Sequence, residues 1–430
     1  MRPDPPETAM PGCLSPPRAA ASVRVVAPAE LDPGVIAAWR ELSTHALEPN
    51  AYLTPMFVLP ALAHLGSALP VRIFLIESEC NELIGVGVFN IKRLLPLFGG
   101  QFLVGYRSRH SFLSGLLVDL EQAELAVDAF FAFVSRPATC WHGVRFDWLN
   151  TDNRLGHLLL ESARRHNIWW SESERMRRAV LLPKGEDARA LINRIPGYRL
   201  KELRRCLRRL GEKGKLDWHI HSGAALTEAV VERFLALEHM GWKGEAGTSV
   251  RANPAHEQFF TAMIAGFRET GGVFFTELLH DGRVIASTCN LLSGNSAFAF
   301  KIGWDPAYAR FSPGMLNELY LLERANEIFG HLDLIDSGSV EGSFIDKLWF
   351  DKRELLSGVF ATTRTGKLCF ALAAARRRLR HGLAGLKTRG AEAWRRSWLG
   401  RAIGWLAPAR RTLAAGQRQA LPRCSQVGPV

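Results

Sequence analysis

With 430 residues, 47% of them apolar and 22% charged, the chain is long enough for two folded cores and too apolar for a disordered polyelectrolyte. Its seven cysteines are scattered and never form a C-x-x-C pair; this argues against a zinc site or a disulfide framework and fits a reducing cytoplasm. The net charge of +12 does not mark a nucleic-acid-binding core: residues 361–430 hold fifteen Lys and Arg against one acid, Glu392, and the rest sums to −2.

Residues 1–22 are rich in proline and alanine and lack the continuous apolar stretch of a secretory signal, so they read as a disordered leader. No apolar run is long enough to span a membrane. The first regular pattern is a hairpin: Val71 to Ile76, a polar turn over Glu77 to Glu82, and a return from Leu83 to Ile91. A strand from Gln101 to Tyr106, a helix from Glu121 to Val134 and a strand from Gly143 to Leu149 follow.

Residues 187–214 form a basic helical stretch carrying Arg199, Lys201, Arg204, Arg205, Arg208, Arg209 and Lys213, which reads as a solvated linker or as the wall of a groove for an anionic substrate. Beyond it the first plan recurs. Val273 to Leu279 turns at His280-Asp281-Gly282-Arg283 and returns over Val284 to Leu292; then come a strand Ser296 to Trp304, a helix Ser312 to Phe329 and a strand Leu332 to Asp336. The order suggests a duplicated α/β unit. The expected division is a leader (1–22), an N-terminal domain (23–185), a C-terminal domain (186–360) and a tail (361–430).

The segment with chemical content is Arg310-Phe311-Ser312-Pro313-Gly314, after a strand and before a helix. Ser312 suits the N-cap, Pro313 the first helical position because it has no N–H to satisfy, and Gly314 lets a phosphate approach the backbone. Free N–H groups at a helix start bind anions without desolvating a side chain. The same features also describe an ordinary capped helix.

Gly241 to Thr248, Asp281 to Ala286, Lys301 to Gly314, Asp336-Ser337-Gly338 and Leu348-Trp349 together resemble the GNAT-type acetyltransferase domain of bacterial proteins linked to cellulose and exopolysaccharide synthesis, the CelD-like type. The resemblance runs from about Arg194 to Phe360. That domain is similar in turn to Fem-type peptidoglycan aminoacyltransferases, which are built from two GNAT-like halves. The implied fold is α/β (α+β): two tandem GNAT-like mixed-sheet domains with flanking helices. The implied donor is acetyl-CoA or another acyl-CoA, with no metal, and an amine attacks the thioester directly.

On this resemblance the cofactor contacts fall at Ile302, Arg310, Ser312, Gly314 and Met315. Gly241 to Thr248 reads as a loop, either a Gly-rich connection with Trp242 anchored in the core or an acceptor-side loop bringing Trp242 and Lys243 to the substrate, and Asp336 is a further acceptor-side candidate. Asp305 and Glu318 flank the turn and lead the candidates for general base. The family's turn carries more small residues than this one, where Pro313 stands at the first glycine position, so the phosphate seat is expected to be tighter or shifted. The first half has no such turn around Tyr106 to His110 and is expected to bind no CoA.

The tail from Leu368 pairs an apolar stripe (Leu372, Leu379, Leu383, Leu386) with Arg376 to Arg378, Arg380 and Lys387, followed by Trp394, Trp398 and Trp405. Such a segment (368–405) suits an anionic membrane surface or a solvated tail. The leading expectation is a cytoplasmic N-acyltransferase, peripheral to the inner face of the membrane, acting on a small-molecule or glycan-precursor amine, with no nucleic-acid partner. An aminoacyl-tRNA-dependent Fem-like transferase and a catalytically silent adaptor are the alternatives.

Overall fold

The computed structural model describes residues 20–93, 101–185 and 187–372. The expected leader up to residue 19 and the tail beyond residue 372 lie outside the described residues. The described residues up to Phe370 form one compact unit.

The strands are β1 (Ala21–Val26), β2 (Val71–Ser78), β3 (Leu83–Arg93), β4 (Gln101–Gly105), β5 (Leu117–Val118), β6 (Trp141–Asn150), β7 (Trp169–Leu181), β8 (Leu216–Ser222), β9 (Val273–His280), β10 (Arg283–Ser293), β11 (Ser296–Trp304), β12 (Leu334–Asp336) and β13 (Asp351–Ala361). They join in one mixed sheet in the order β1-β2-β3-β4-β6-β13-β7-β12-β11-β10-β9-β8, with β5 paired to β3 off this path.

This order reads almost the same from either end. Each half runs through an edge strand, an antiparallel hairpin and a third strand, and then a parallel partner: β4 with β6, β11 with β12. The final strands are exchanged: β7 pairs with β12 of the second half, and β13 pairs with β6 of the first. β7 and β13 also pair with each other from Asp351↔Val180 to Ala361↔Trp169. The expectation of two tandem GNAT-like units is met, with the halves sharing their sheet.

Local chemistry explains the hairpins. The second turns at Asp281 (φ 49°) and Gly282 (φ 76°), the Asp-Gly pair that a two-residue turn with two left-handed residues requires. The strands between are apolar on both faces because helices cover both: Phe274 and Ile285 pack in the cluster containing Leu316 and Leu319, and Phe275 and Phe300 in the one containing Phe234 and Phe259. The latter cluster also holds Ile73 and Val88 of the first half, so the halves share a core as well. Each such side chain contributes roughly 1.5–3 kcal/mol on full burial.

Two helical readings change. The basic stretch is two helices, Ala188–Asn193 and Gly197–Gly211, parted before Gly197 by Pro196, which favours extended backbone just ahead of it. The helix expected over 312–329 is two, Pro313–Glu323 and Ala325–Phe329, with Arg324 (φ −116°) between them.

Candidate active site

β11 and β12 pair in parallel only over Ser296↔Leu334, Ala297↔Ile335 and Phe298↔Asp336. Beyond this the strands part. Asp336 Oδ1 accepts from Gly338 N at 2.7 Å and bends the chain into a turn, with Gly338 at φ +61°. A Cβ on Gly338 would stand 2.5 Å from Ala299 O, so only glycine closes the turn against β11.

The split leaves one edge of β11 open. Asp305 N donates to Ile285 O, and Ala286 faces Trp304 while Thr288 faces Ile302. Antiparallel alternation then turns the N–H and C=O of Trp304 and Ile302 away from β10, toward the split. Lys243 Nζ donates to Ile302 O at 2.5 Å, consistent with that edge being open.

A cavity of about 170 Å³ lies in the split. Its lining includes Thr288, Lys301, Ile302, Glu318, Gly338 and Trp349. Glu318 is 3% exposed, and its Oε1 accepts from Thr288 Oγ1 at 2.7 Å. Burial raises its carboxyl from the ordinary 4.5 to about 7, against the opposing effect of the Thr288 hydroxyl. Asn317 beside it donates to Thr276 Oγ1 and Thr288 Oγ1 and accepts from Trp218 Nε1. Burial lowers the Lys301 ammonium to about 8 although Glu238 opposes the shift.

The 306–315 segment departs from expectation in one respect. Ser312 occupies the N-cap position of the helix Pro313–Glu323, but its side chain makes no capping bond and its backbone is left-handed (φ 54°, ψ 55°). Ser312 N donates to Ala309 O, and Leu316 N closes the first helical turn on Ser312 O. Pro313 has no N–H, so Gly314 and Met315 carry the helix-start donors that have no partner within the helix. Gly314 faces inward: a Cβ there would meet Ile302 Cδ1 at 3.2 Å. Arg310 is exposed, with its guanidinium 4.7 Å from the Phe311 ring centroid.

Of the residues singled out in the sequence, Ile302 and Glu318 line the cavity. Arg310, Ser312, Gly314 and Met315 belong to the turn and helix start beyond the end of β11. Asp305 caps that turn, accepting from Ala307 N at 2.9 Å and pairing with Arg283. Lys243 lies in a short helix, Trp242–Glu245, where a loop was expected, and pairs with the buried Glu238 at 3.3 Å. Nothing is described of the Trp242 side chain.

Asp336 is fully buried beneath the cavity, 3.5 Å from Arg178 of β7 and 3.2 Å from Arg353 of β13. Arg178 also donates to Ser339 O and to Phe112 O, both at 3.0 Å, and so ties the turn to a first-half loop. Thr288, Asn317 and Lys301 were not singled out. Their signal is polarity inside apolar elements: Asn317 and Glu318 interrupt a helix otherwise buried by leucines.

A hairpin, a third strand, a tight turn through the left-handed Ser312, a helix and a parallel strand splayed from the third define a GNAT-type fold. Residues 198–339 match the family model for the acetyltransferase (GNAT) domain, so this stretch is a GNAT domain. No curated protein matches the chain in sequence. Among solved structures, FemX is 10% identical with a TM-score of 0.52, over 76% of this chain and 96% of that one; the likeness is one of fold. Also similar are the C-terminal domain of a putative lysylphosphatidylglycerol synthetase from Agrobacterium fabrum (11% identical, TM-score 0.49, 79% and 95% covered) and a tandem GNAT protein from the clavulanic acid biosynthesis pathway (13%, 0.40, 80% and 99%). Among the described residues, no group of three His, Cys, Asp or Glu is placed to hold a metal, and no helix is long and apolar enough to cross a membrane.

Proposed function

We propose that the chain is an acyl-CoA-dependent N-acyltransferase, transferring a short acyl group, acetyl in the simplest case, to an amine of an envelope or exopolysaccharide precursor. The observation that carries the reading is the continuity of three features: a helix start with free donors at Gly314 and Met315, the open β11 edge at Trp304 and Ile302, and the Glu318 cavity in the split. A pyrophosphate at the first, a pantetheine arm along the second and a thioester at the third would use each in turn.

In this reading the amine nitrogen attacks the thioester carbonyl carbon and the C–N bond forms. Glu318 takes the ammonium proton, an N–H of the β11 edge stabilises the oxyanion, and the C–S bond breaks to release the thiolate. A carboxyl with its pKa at about 7 is ionised in useful proportion near neutrality. Asp305 has its carboxylate engaged with Arg283 and Ala307 N, so we assign it to the turn and Glu318 to the proton. The cavity, about 170 Å³, suits a short acyl group and not a whole nucleotide.

The test is acetyl-CoA binding by calorimetry to the wild type and to Arg310→Glu, with thiol release followed against an amine panel. Binding weakened in the variant upholds the reading, and equal binding refutes the turn as the phosphate seat. One observation favours a polyanionic donor such as an aminoacyl-tRNA instead: the helix Gly197–Gly211, with Lys201, Arg204, Arg205, Arg208 and Arg209 exposed, packs against the 306–311 turn. Steeply salt-dependent tRNA binding without acetyl-CoA binding would select that donor.

A further inference from the structure

At the end of β4, where the first half has its counterpart of the 306–315 segment, a second cavity of about 440 Å³ opens. The polar groups lining it are Ser67, Asn90, Tyr106, Arg107, Ser108, Arg109 and His256, and none of its described lining residues is acidic. Arg107 has a counter-ion, Asp147 at 3.6 Å, which also holds Arg145 at 2.9 Å. Arg109 is exposed.

The cavity has donors without acceptors. Tyr106 is 3% exposed and its hydroxyl is buried without a partner. Arg107 Nε is in the same condition. Next to the lining, but not part of it, the 6% exposed His110 stacks on Phe259, stands 4.9 Å from the His256 ring and has an Nε2 without a partner. Buried polar groups are nearly always paired, and each one left unpaired costs roughly 1–3 kcal/mol. Two on the lining of one cavity, Tyr106 Oη and Arg107 Nε, call for a partner that the protein itself does not supply.

Its electrostatics agree. Burial, then Lys301, His256 and Arg109, push His110 down to about 3, and burial, Arg109 and Lys301 lower His256. Both imidazoles are thus held toward the neutral form, first by burial and then by the positive charges of Lys301 and Arg109, which are the cations of the site. The cluster also leads to the candidate active site. Lys301 lines the Glu318 cavity, and the first-half loop continues from His110 to Phe112, whose carbonyl is held by Arg178 and whose ring lies against the Gly338 turn.

We propose that this cavity binds an anionic group, a phosphate or a carboxylate, of the acceptor. The acceptor assignment rests on the acyltransfer reading above; the anion site rests on the cavity alone. Arg107 and Arg109 supply the charge, Tyr106 and Ser108 hydroxyl donors, and the neighbouring Lys301 lies between the anion and the acyl group. The first half, with no CoA turn, thereby carries recognition.

The test is calorimetric titration of the full chain with inorganic phosphate and, separately, with succinate at low ionic strength. Arg109→Glu, at an exposed position, and Tyr106→Phe, which removes one hydroxyl, are compared with wild type and with Arg310→Glu at the donor turn. The dissociation constant for the tighter-binding anion rises at least tenfold in Arg109→Glu and severalfold in Tyr106→Phe, while Arg310→Glu leaves this site unchanged. Whichever of phosphate and succinate binds more tightly names the chemical class. Binding of both probes that is indifferent to Arg109→Glu and Tyr106→Phe overturns the proposal. Failure of acetyl-CoA to bind, with the Arg109-sensitive anion site intact, overturns the acyl-CoA reading and with it the acceptor assignment, and upholds the anion site itself.

Discussion

Replacing Glu318 by Gln should make the protein more stable and less active, and both effects can be sized. The amide keeps the shape and still accepts from Thr288 Oγ1, so the change removes the charge and little else. Below pH 4.5 the wild-type carboxyl is neutral in both folded and unfolded chains and costs nothing. As the pH rises the unfolded chain ionises first, so wild-type stability falls until the folded carboxyl ionises at about 7. Between 4.5 and about 7, at 1.36 kcal/mol per unit, the loss is about 3 kcal/mol. Glu318→Gln escapes it, so urea unfolding should show its stability advantage growing by about 3 kcal/mol between about pH 5 and about pH 8. Loss of the base should lower kcat/KM about 10²–10⁴-fold and remove the rise of wild-type kcat/KM through pH 7. A variant whose advantage does not change with pH would show that Glu318 is not a buried carboxyl of raised pKa. Retention of the wild-type pH profile would place the base elsewhere.

Gly338→Ala forces a Cβ toward Ala299 O and an L side chain into a left-handed conformation; denaturant unfolding should show a loss of at least about 1–3 kcal/mol, with acyl-CoA affinity falling in parallel. Asp336→Asn leaves Arg178 buried without its counter-charge, while Arg353 keeps Glu48 at 3.2 Å, and should cost about 3–5 kcal/mol in the same measurement. Ser312→Gly relieves a left-handed residue and should raise the thermal midpoint by the equivalent of about 1 kcal/mol, with acetyl-CoA affinity unchanged because the seat is backbone; a loss of affinity would assign the hydroxyl to the ligand. We propose the basic segment 368–405 as an anionic membrane contact, so truncation after Leu372 should abolish sedimentation with phosphatidylglycerol vesicles and leave thiol release intact.

Much of the fold is legible where a local signal fixes it. Asp281-Gly282 sets the second hairpin, and the apolar runs on either side of it can only be strands covered on both faces. β7 is a different matter. Its sequence, Trp-Trp-Ser-Glu-Ser-Glu-Arg-Met-Arg-Arg, looks like a solvated stretch, and Glu172 to Arg175 and Arg177 are exposed, but Met176 and Arg178 are buried, Arg178 against Asp336 far away in sequence. Its place at the centre of the sheet is a tertiary fact with no local periodicity to announce it. The site divides in the same way. Glu318 is legible as an acid on an apolar helix, whereas the cavity floor depends on Arg178 meeting Asp336 across 158 residues of sequence.

The exchange of final strands ties these observations together. Had β7 stayed beside β6, its Arg178 would have ended in the first half, and Asp336 would have faced Arg353 without it. Crossing over brings one arginine from each half's last strand to the carboxylate that bends the Gly338 turn, so the split that opens the cavity is braced from both halves at once. The same Arg178 holds Phe112 O, at the end of the loop that begins with Tyr106 and Arg107. The first half therefore takes a structural part in the second half's cavity. It closes the floor of the Glu318 cavity, and in doing so sets the pocket lined by Arg107 and Arg109 at the far end of that loop. Under the proposals made above, ordering that loop by filling the pocket would act on the Gly338 turn through Arg178, coupling acceptor binding to the geometry around Glu318.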